Sequence, residues 1–344
     1  MRAAILEENK LVLKEVPKPS AGYEEALVKM TTAGVCHSDV HLVKGDWPGY
    51  VPGGTRPMGH EGIGIVEELG PGAEKFLQKG DRVILGLGGA GGQYWCGACE
   101  YCLSGRTRLC KQLKRTSGTY GEYIAVWAKA LVKLPAEVSD REVSLACGGL
   151  TAYGAIKKVF KFGVTPGKPI AIIGAAGGLG HYAIQIAKAF GYKVIGIDVG
   201  QDKKEFVKKM GADYAVDVNE AEKFVMEKFG GAYASVVFAT KISGFELGLK
   251  LLTRGGLLVA VGIPPVKEGF ISITPMELIR KDAWIVGSAV GTVEEMRELV
   301  QLAAEGKIKT HISRVASLSQ IHQVLGELEE GKYPGRAIID NMTK

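Results

Sequence analysis

The run from Pro169 to Asp198 limits the possible folds more than any other stretch of this chain. Pro169-Ile-Ala-Ile-Ile173 has the length and β-branched content of a buried strand. A glycine-rich turn follows it, Gly174-Ala-Ala-Gly-Gly-Leu-Gly180. His181-Tyr-Ala-Ile-Gln-Ile-Ala-Lys-Ala-Phe190 then carries apolar residues at helical spacing, and Lys193-Val-Ile-Gly-Ile-Asp198 reads as a second strand. A Lys-rich helix, a strand from Ala212 to Asp217 and another helix come next. Further strands are expected at Ala234-Ser-Val-Val-Phe-Ala, Leu257-Leu-Val-Ala-Val and Trp284-Ile-Val-Gly-Ser. Strand alternating with helix predicts an α/β fold with a doubly wound parallel sheet.

The turn itself suggests a ligand. Glycine at Gly177 lets backbone approach a pyrophosphate, and glycine at Gly180 lets helix and strand pack closely. The strict GxGxxG frame starts at Ala175, so the first glycine is displaced to Gly174. Gly177, Gly178, Leu179 and Gly180 are therefore candidate dinucleotide contacts. Asp198 ends the next strand about twenty residues on, where an acid accepts hydrogen bonds from the adenosine ribose hydroxyls. A carboxylate there repels a 2′-phosphate and predicts NAD over NADP. The plain alternative for Asp198 is a solvated strand-end carboxylate. Lys203 either flanks the ribose or is one of several exposed helix lysines.

The first third has a different texture. Ala26-Leu-Val-Lys-Met-Thr-Thr alternates, and Gly62-Ile-Gly-Ile-Val-Glu-Glu-Leu and Asp81-Arg-Val-Ile-Leu are brief apolar stretches between Gly and Pro signals. These suit a β-rich domain. The last fifty residues are mixed, with a helix near Val293 to Glu305 and a strand at Ala337-Ile-Ile. With 344 residues there is room for two cores. The expected organisation is a β-rich domain from 1–148 and 291–344 interrupted by a nucleotide domain at 149–290, with the active cleft between them.

Charge excludes some functions. Net charge is +6 from 43 basic and 37 acidic residues, interspersed without a basic block, so no nucleic-acid partner is expected. The N-terminus lacks the apolar core of a secretory signal, and no apolar run reaches membrane-spanning length. A cytoplasmic setting follows, in which thiols stay reduced and clustered cysteines favour metal over disulfide.

Four of the six cysteines fall within fifteen residues: Cys96, Cys99, Cys102 and Cys110. Four thiolates around one ion describe a closed, structural zinc site, here a lobe at 95–111. The other two cysteines then stand apart. Cys36 opens Cys36-His-Ser-Asp-Val-His41, Cys147 lies in Cys147-Gly-Gly-Leu-Thr151, and His60 lies in Gly59-His-Glu-Gly62. Two thiolates, one imidazole and an open position describe a catalytic zinc site. Taken singly, each cysteine also fits a small buried hydrophobe, and the histidine a hydrogen-bonded one.

Taken together, these motifs resemble the zinc-dependent alcohol dehydrogenases of the medium-chain dehydrogenase/reductase family, closest to its tetrameric yeast-like and bacterial branch. Gly80-Asp-Arg-Val83 and Gly335-Arg336 complete the pattern in the family's order. The resemblance implies a Rossmann coenzyme domain and a GroES-like catalytic domain, NAD, and two zinc ions per chain. It implies that Cys36, His60 and Cys147 hold the catalytic zinc, with Glu61 a carboxylate able to approach it. Asp39 would receive the other ring N–H of His60. Ser38 and His41 would relay the alcohol proton by way of the cofactor ribose, although His41 also fits an exposed turn histidine. His37 and Arg336 resemble pyrophosphate contacts, and Thr151 the residue beneath the nicotinamide. Gly262, Ile263, Ser288 and Val290 would lie along that ring.

The implied reaction is reversible hydride transfer between a primary or secondary alcohol and NAD, giving aldehyde or ketone. The alternatives are an NADP-preferring reductase of bulkier carbonyls and a non-catalytic, zinc-stabilised nucleotide-binding protein. A homotetramer assembled through the edge strand of the nucleotide domain is also implied. Trp47 matches a substrate-pocket residue of the family. The glycine-rich segment 85–95 departs from the family pattern by its length, which leaves the size of the alcohol open.

Overall fold

The computed structural model describes residues 1–46, 57–85, 92–115 and 117–342. Trp47 and Gly86 to Gly91 lie outside the described residues, and with them the substrate-pocket expectation and most of the glycine-rich segment. The chain divides into two compact units, Met1–Leu150 with Val290–Lys344, and Thr151–Ala289.

The first unit opens with a hairpin, β1 (Arg2–Glu7) and β2 (Lys10–Glu15). The long strand β3 (Glu25–Val35) runs directly into helix α1 (His37–Lys44). Then come β4 (Gly62–Leu69), β5 (Arg82–Leu85), β6 (Gly92–Tyr94), helix α2 (Glu100–Leu103), β7 (Lys114–Arg115), β8 (Tyr123–Trp127) and β9 (Leu131–Lys133). A 3-10 helix, Asp140–Ala146, ends at Cys147, and helix α3 (Gly148–Lys161) starts here and belongs from Thr151 onward to the second unit.

The second unit carries β10 (Pro169–Ile173), α4 (Gly180–Ala189), β11 (Lys193–Asp198), α5 (Gln201–Lys209), β12 (Tyr214–Asp217) and α6 (Ala221–Phe229). It continues with β13 (Ala232–Val237), α7 (Ile242–Lys250), β14 (Leu252–Ala260), α8 (Pro275–Lys281) and β15 (Trp284–Gly287). The chain then returns to the first unit with α9 (Val293–Ala304), β16 (Ile312–Ser317), α10 (Ile321–Glu329) and β17 (Arg336–Asn341).

In the second unit six parallel strands lie in the order β12-β11-β10-β13-β14-β15. Numbered within the unit this is 3-2-1-4-5-6, the doubly wound order whose ligand crevice lies at the carboxyl ends of its first and fourth strands. Ile170 to Ile173, Val194 to Ile197 and Ala234 to Val237 are all buried, as strands covered by helices on both faces must be. Helix α4 starts directly at Gly180, where a Cβ would lie 2.2 Å from the Gly174 carbonyl oxygen. Only glycine permits that approach of helix to strand.

The larger sheet of the first unit runs β16-β17-β3-β4-β5-β9, with β8 also paired to β3. Register here decides where chemistry gathers. Ala33 of β3 faces Gly62 of β4, and Val35 faces Ala337 of β17. The residues just beyond these pairs are Cys36, His60 with Glu61, and Arg336. Three strand ends separated by up to three hundred residues of sequence therefore converge on one point. The buried core beneath includes Val28, Met30, Val40, Met58, Tyr120 and Ile339. Among the described residues no helix is long and apolar enough to cross a membrane.

Candidate active site

At that convergence the ligand atoms of Cys36, His60, Glu61 and Cys147 lie within 4.8 Å of one another, and all four residues are buried. Cys36 is held by local structure. It caps α1, and the Asp39 carboxylate in the first turn accepts the Cys36 backbone N–H at 3.2 Å. His60 is held by the same carboxylate, since its Nδ1–H donates to Asp39 Oδ1 at 3.1 Å. An ionised carboxylate only accepts, so a proton sits on Nδ1 and Nε2 is the ring nitrogen left for another partner; although burial opposes it, the charges of Asp39 and Cys147 raise His60 well above the usual histidine range, a setting that draws a positive charge to the ring. That Nε2 is buried and makes no hydrogen bond of normal geometry, which is costly unless a ligand fills the gap.

The electrostatics suit a cation at this point. The Cys36 thiol is held well below its usual range, first by a hydrogen bond from Cys147, while Cys147 is pushed well above it by the same bond and by burial. The contact between the two thiols thus pushes them in opposite directions. A divalent ion would favour both as thiolates. Two sulfurs, one imidazole nitrogen and a carboxylate form a donor set that suits zinc.

The Glu61 carboxylate is engaged elsewhere as well. Both of its oxygens accept from Arg336 Nη2 inside the protein, with Glu61 fully buried and Arg336 nearly so. Burial raises the Glu61 carboxyl to about 7, against the pull of the Arg336 charge. The pairing of Glu61 with Arg336 was not legible in sequence, because it depends on the register of β17 against β3.

The remaining candidates on α1 are ordered. Ser38 Oγ lies 3.7 Å from Cys36 Sγ. His41 is buried rather than an exposed turn residue, and its Nδ1 is 2.8 Å from Asp46 Oδ2. Asp46 escaped the sequence reading; its place five residues after His41, past the helix end, is the only signal it leaves. The His37 ring lies 5.0 Å from that of His41, and burial together with the His41 charge holds it below the usual histidine range.

The lobe is a second, separate cluster. The sulfur pairs Cys96–Cys102, Cys99–Cys102 and Cys96–Cys110 are 3.9, 3.5 and 3.6 Å apart. Four sulfurs at the usual 2.3 Å from a tetrahedral zinc stand about 3.8 Å apart. Backbone N–H groups of Ala98 and Cys99 push the Cys96 thiol down to about 6, which favours its thiolate. Tyr94 and Trp95, at the root of the lobe, both pack on Trp127.

In the second unit the glycine-rich turn joins β10 to α4 at the sheet's reversal point. Gly177 donates its N–H to Gly174, Gly178 follows, and Leu179 caps α4. Asp198 ends β11 with Oδ2 accepting Ala176 N–H at 2.8 Å and Oδ1 accepting Val199 N–H at 2.9 Å. Lys203 Nζ is 3.3 Å from Asp198 Oδ1, which joins the two sequence candidates directly. Gly262 follows β14, Ile263 beside it is exposed, and Ser288 follows β15 with a buried, unpartnered hydroxyl. Thr151 is buried in α3. Val290 is buried with φ 49°, a left-handed conformation that costs a β-branched residue about 1–3 kcal/mol.

Comparison with known proteins agrees with this architecture. Residues 22–136 match the alcohol dehydrogenase GroES-like domain, and residues 178–305 match the zinc-binding dehydrogenase domain. An alcohol dehydrogenase of Geobacillus stearothermophilus is 41% identical, covering 98% of this chain and 99% of its own. The solved alcohol dehydrogenase of the hyperthermophilic archaeon Aeropyrum pernix superposes with TM-score 0.89 at 33% identity, over 98% of this chain and 99% of its own. A solved NAD-dependent alcohol dehydrogenase superposes with TM-score 0.88 at 28% identity over the same shares. With its two thiol clusters, its 3-2-1-4-5-6 sheet and relatives matched from end to end, the chain belongs to the zinc-binding alcohol dehydrogenases of the medium-chain dehydrogenase/reductase family.

Proposed function

We propose that the chain oxidises a primary or secondary alcohol with NAD, reversibly, using one zinc at Cys36, His60 and Cys147 and a second, structural zinc in the cysteine lobe. The observation that carries this reading is the buried Nε2 of His60, which among the described residues makes no hydrogen bond of normal geometry, in a group whose ligand atoms, with those of Cys36, Glu61 and Cys147, lie within 4.8 Å of one another. Bound there, zinc supplies Lewis acidity toward an alcohol or carbonyl oxygen, and NAD supplies the hydride acceptor.

The chain's own residues do the rest. Asp39 keeps the His60 proton on Nδ1, so Nε2 remains a donor atom. Glu61 is a further carboxylate within reach of the ion, held by Arg336. Ser38 and His41 lie three apart on α1, the spacing of one helix face, and the Asp46 carboxylate 2.8 Å from Nδ1 orients the His41 ring for the relay. In the nucleotide unit, the Gly177 to Gly180 turn and the N-terminus of α4 suit a pyrophosphate. Asp198 retains lone pairs for ribose hydroxyls, and its charge opposes a 2′-phosphate. The solved relative described as NAD-dependent supports the same preference.

Assembly is part of the proposal. Strand β15 is an edge of its sheet, with Trp284 and Ile285 exposed upon it. Phe270 is 94% exposed and Ile279 79% exposed in the same unit. An open strand edge with large apolar side chains nearby supports pairing with a second copy, and hence a homo-oligomer, a tetramer by family resemblance.

The test is metal content together with turnover on a panel of alcohols and ketones under both cofactors. Two zinc ions per chain and NAD-linked oxidation are expected. NADPH turnover exceeding NADH would favour the reductase of bulkier carbonyls, and NADH binding without turnover of any alcohol would favour a non-catalytic protein.

A further inference from the structure

The Asp39 carboxylate has three donors. Two are the Cys36 backbone N–H and the His60 ring N–H. The third is the Tyr120 hydroxyl, 2.7 Å from Oδ2 and the shortest of the three. Tyr120 is fully buried and lies in the loop before β8, eighty-one residues from Asp39. Its hydroxyl is also 3.2 Å from the Gly34 carbonyl oxygen, but a phenol has one proton, and the charged acceptor is both nearer and stronger.

Tyr120 is also pinned by its backbone. Its N–H donates to the Met58 carbonyl at 2.9 Å, and its own carbonyl accepts from Ala4 at 2.7 Å. Its ring packs close to Gly59, whose φ is 86° and where a Cβ would come within 2.7 Å of the ring. The residue therefore touches the segment that carries His60 and, independently, the carboxylate that orients His60. Filling the space beside Gly59 needs only an aromatic ring. Reaching Asp39 needs the hydroxyl.

We infer that Tyr120 is a positioning residue for the metal centre: its hydroxyl locks the Asp39 carboxylate, and through it the tautomer and aim of His60. Without the hydroxyl, Oδ2 keeps only the longer Cys36 bond, and the carboxylate can turn about a torsion that is intrinsically broad. His60 then loses its fixed orientation, and an ion held by Nε2 is held less tightly. The inference rests on the proposed zinc at Cys36, His60 and Cys147.

Tyr120→Phe in the full chain tests it, because the ring against Gly59 is kept and only one oxygen is lost. The probe is zinc release to a chromogenic chelator, followed beside the visible spectrum of the Co(II)-substituted protein. Release from the buried site should quicken about tenfold, with the lobe ion unchanged as internal reference. The Co(II) band should shift, and kcat should fall while KM holds. In an Asp39→Asn background, Tyr120→Phe should add nothing further. Unchanged release and spectrum would overturn the inference, as would equal loosening of both ions or an undiminished effect in the Asp39→Asn background. Metal content left unchanged by Cys36→Ala would instead overturn the zinc reading itself, and this inference with it.

Discussion

The two thiol clusters of the first unit are built in opposite ways. The lobe draws four sulfurs from one short segment, bound together by its own backbone and only partly buried. The buried cluster draws its donors from the ends of β3, β4 and a 3-10 helix, with Arg336 of β17 behind them. The lobe has no carboxylate among its donors. The buried group has a full outer layer: Asp39 on His60, Tyr120 on Asp39, Arg336 on Glu61. Four like donors close a site and need little orientation. On the proposed reading, three donors and an exchangeable position need their angles held from outside, because the fourth position must admit and release a substrate.

The largest effect should separate the clusters by kind. Cys36→Ala should lower kcat/KM by roughly a thousandfold or more, since several kcal/mol of Lewis-acid stabilisation is lost, while the fold persists. A variant that turns over within tenfold of wild type would break the comparison. Cys99→Ser should act through stability instead, lowering Tm by about 10 °C with loss of the lobe ion. Its Co(II) spectrum at the buried site should survive, and calorimetry beside spectroscopy checks both.

Arg336→Met probes the outer layer directly. It leaves the Glu61 carboxylate buried without its partner, a change worth about 3–5 kcal/mol in denaturant unfolding. Asp39→Asn should cost about 10–100-fold in metal affinity at the buried site and nothing at the lobe, read by chelator competition.

The smallest expected effect lies outside both clusters. Asp213 accepts from Lys188 and from the Val194 N–H, binding β12 to β11. Partial burial works against its charge, but the bonds from Lys188 and Val194 outweigh it and hold the carboxyl below its ordinary value. A lowered carboxyl contributes stability above its unfolded pKa and loses it as pH falls through the folded one. Asp213→Asn should therefore cost under about 1 kcal/mol at pH 7, given the exposure of the pair, and the difference should shrink as pH falls below the ordinary carboxyl range. A cost that grows on acidification would contradict that sign.

What could be read from the sequence follows the same division. The lobe was legible because its spacing is its structure: four cysteines in fifteen residues have few ways not to meet. The parallel sheet was legible because buried strands and amphipathic helices leave distinct periods, and β10, α4 and β11 fall almost where those periods change. The buried cluster needed family resemblance, since no local pattern joins Cys36 to Cys147. Its outer layer was only partly legible. Asp39 could be assigned through its motif, but Tyr120 and the Glu61–Arg336 pair depend on loop packing and on β17 meeting β3 in one register. Strand β16 and helix α10 were blurred into mixed structure, because their apolar positions are short and interrupted by polar residues.

The central claim is that one cluster carries the reaction and the other carries the fold. Metal content per chain in wild type, Cys36→Ala and Cys99→Ser, measured on the same samples as alcohol turnover, tests it most directly. The account predicts two zinc ions in the wild type and one in each variant, with turnover abolished only in Cys36→Ala at unchanged Tm. Retention of both ions by Cys36→Ala, or full turnover without the ion it loses, would contradict it.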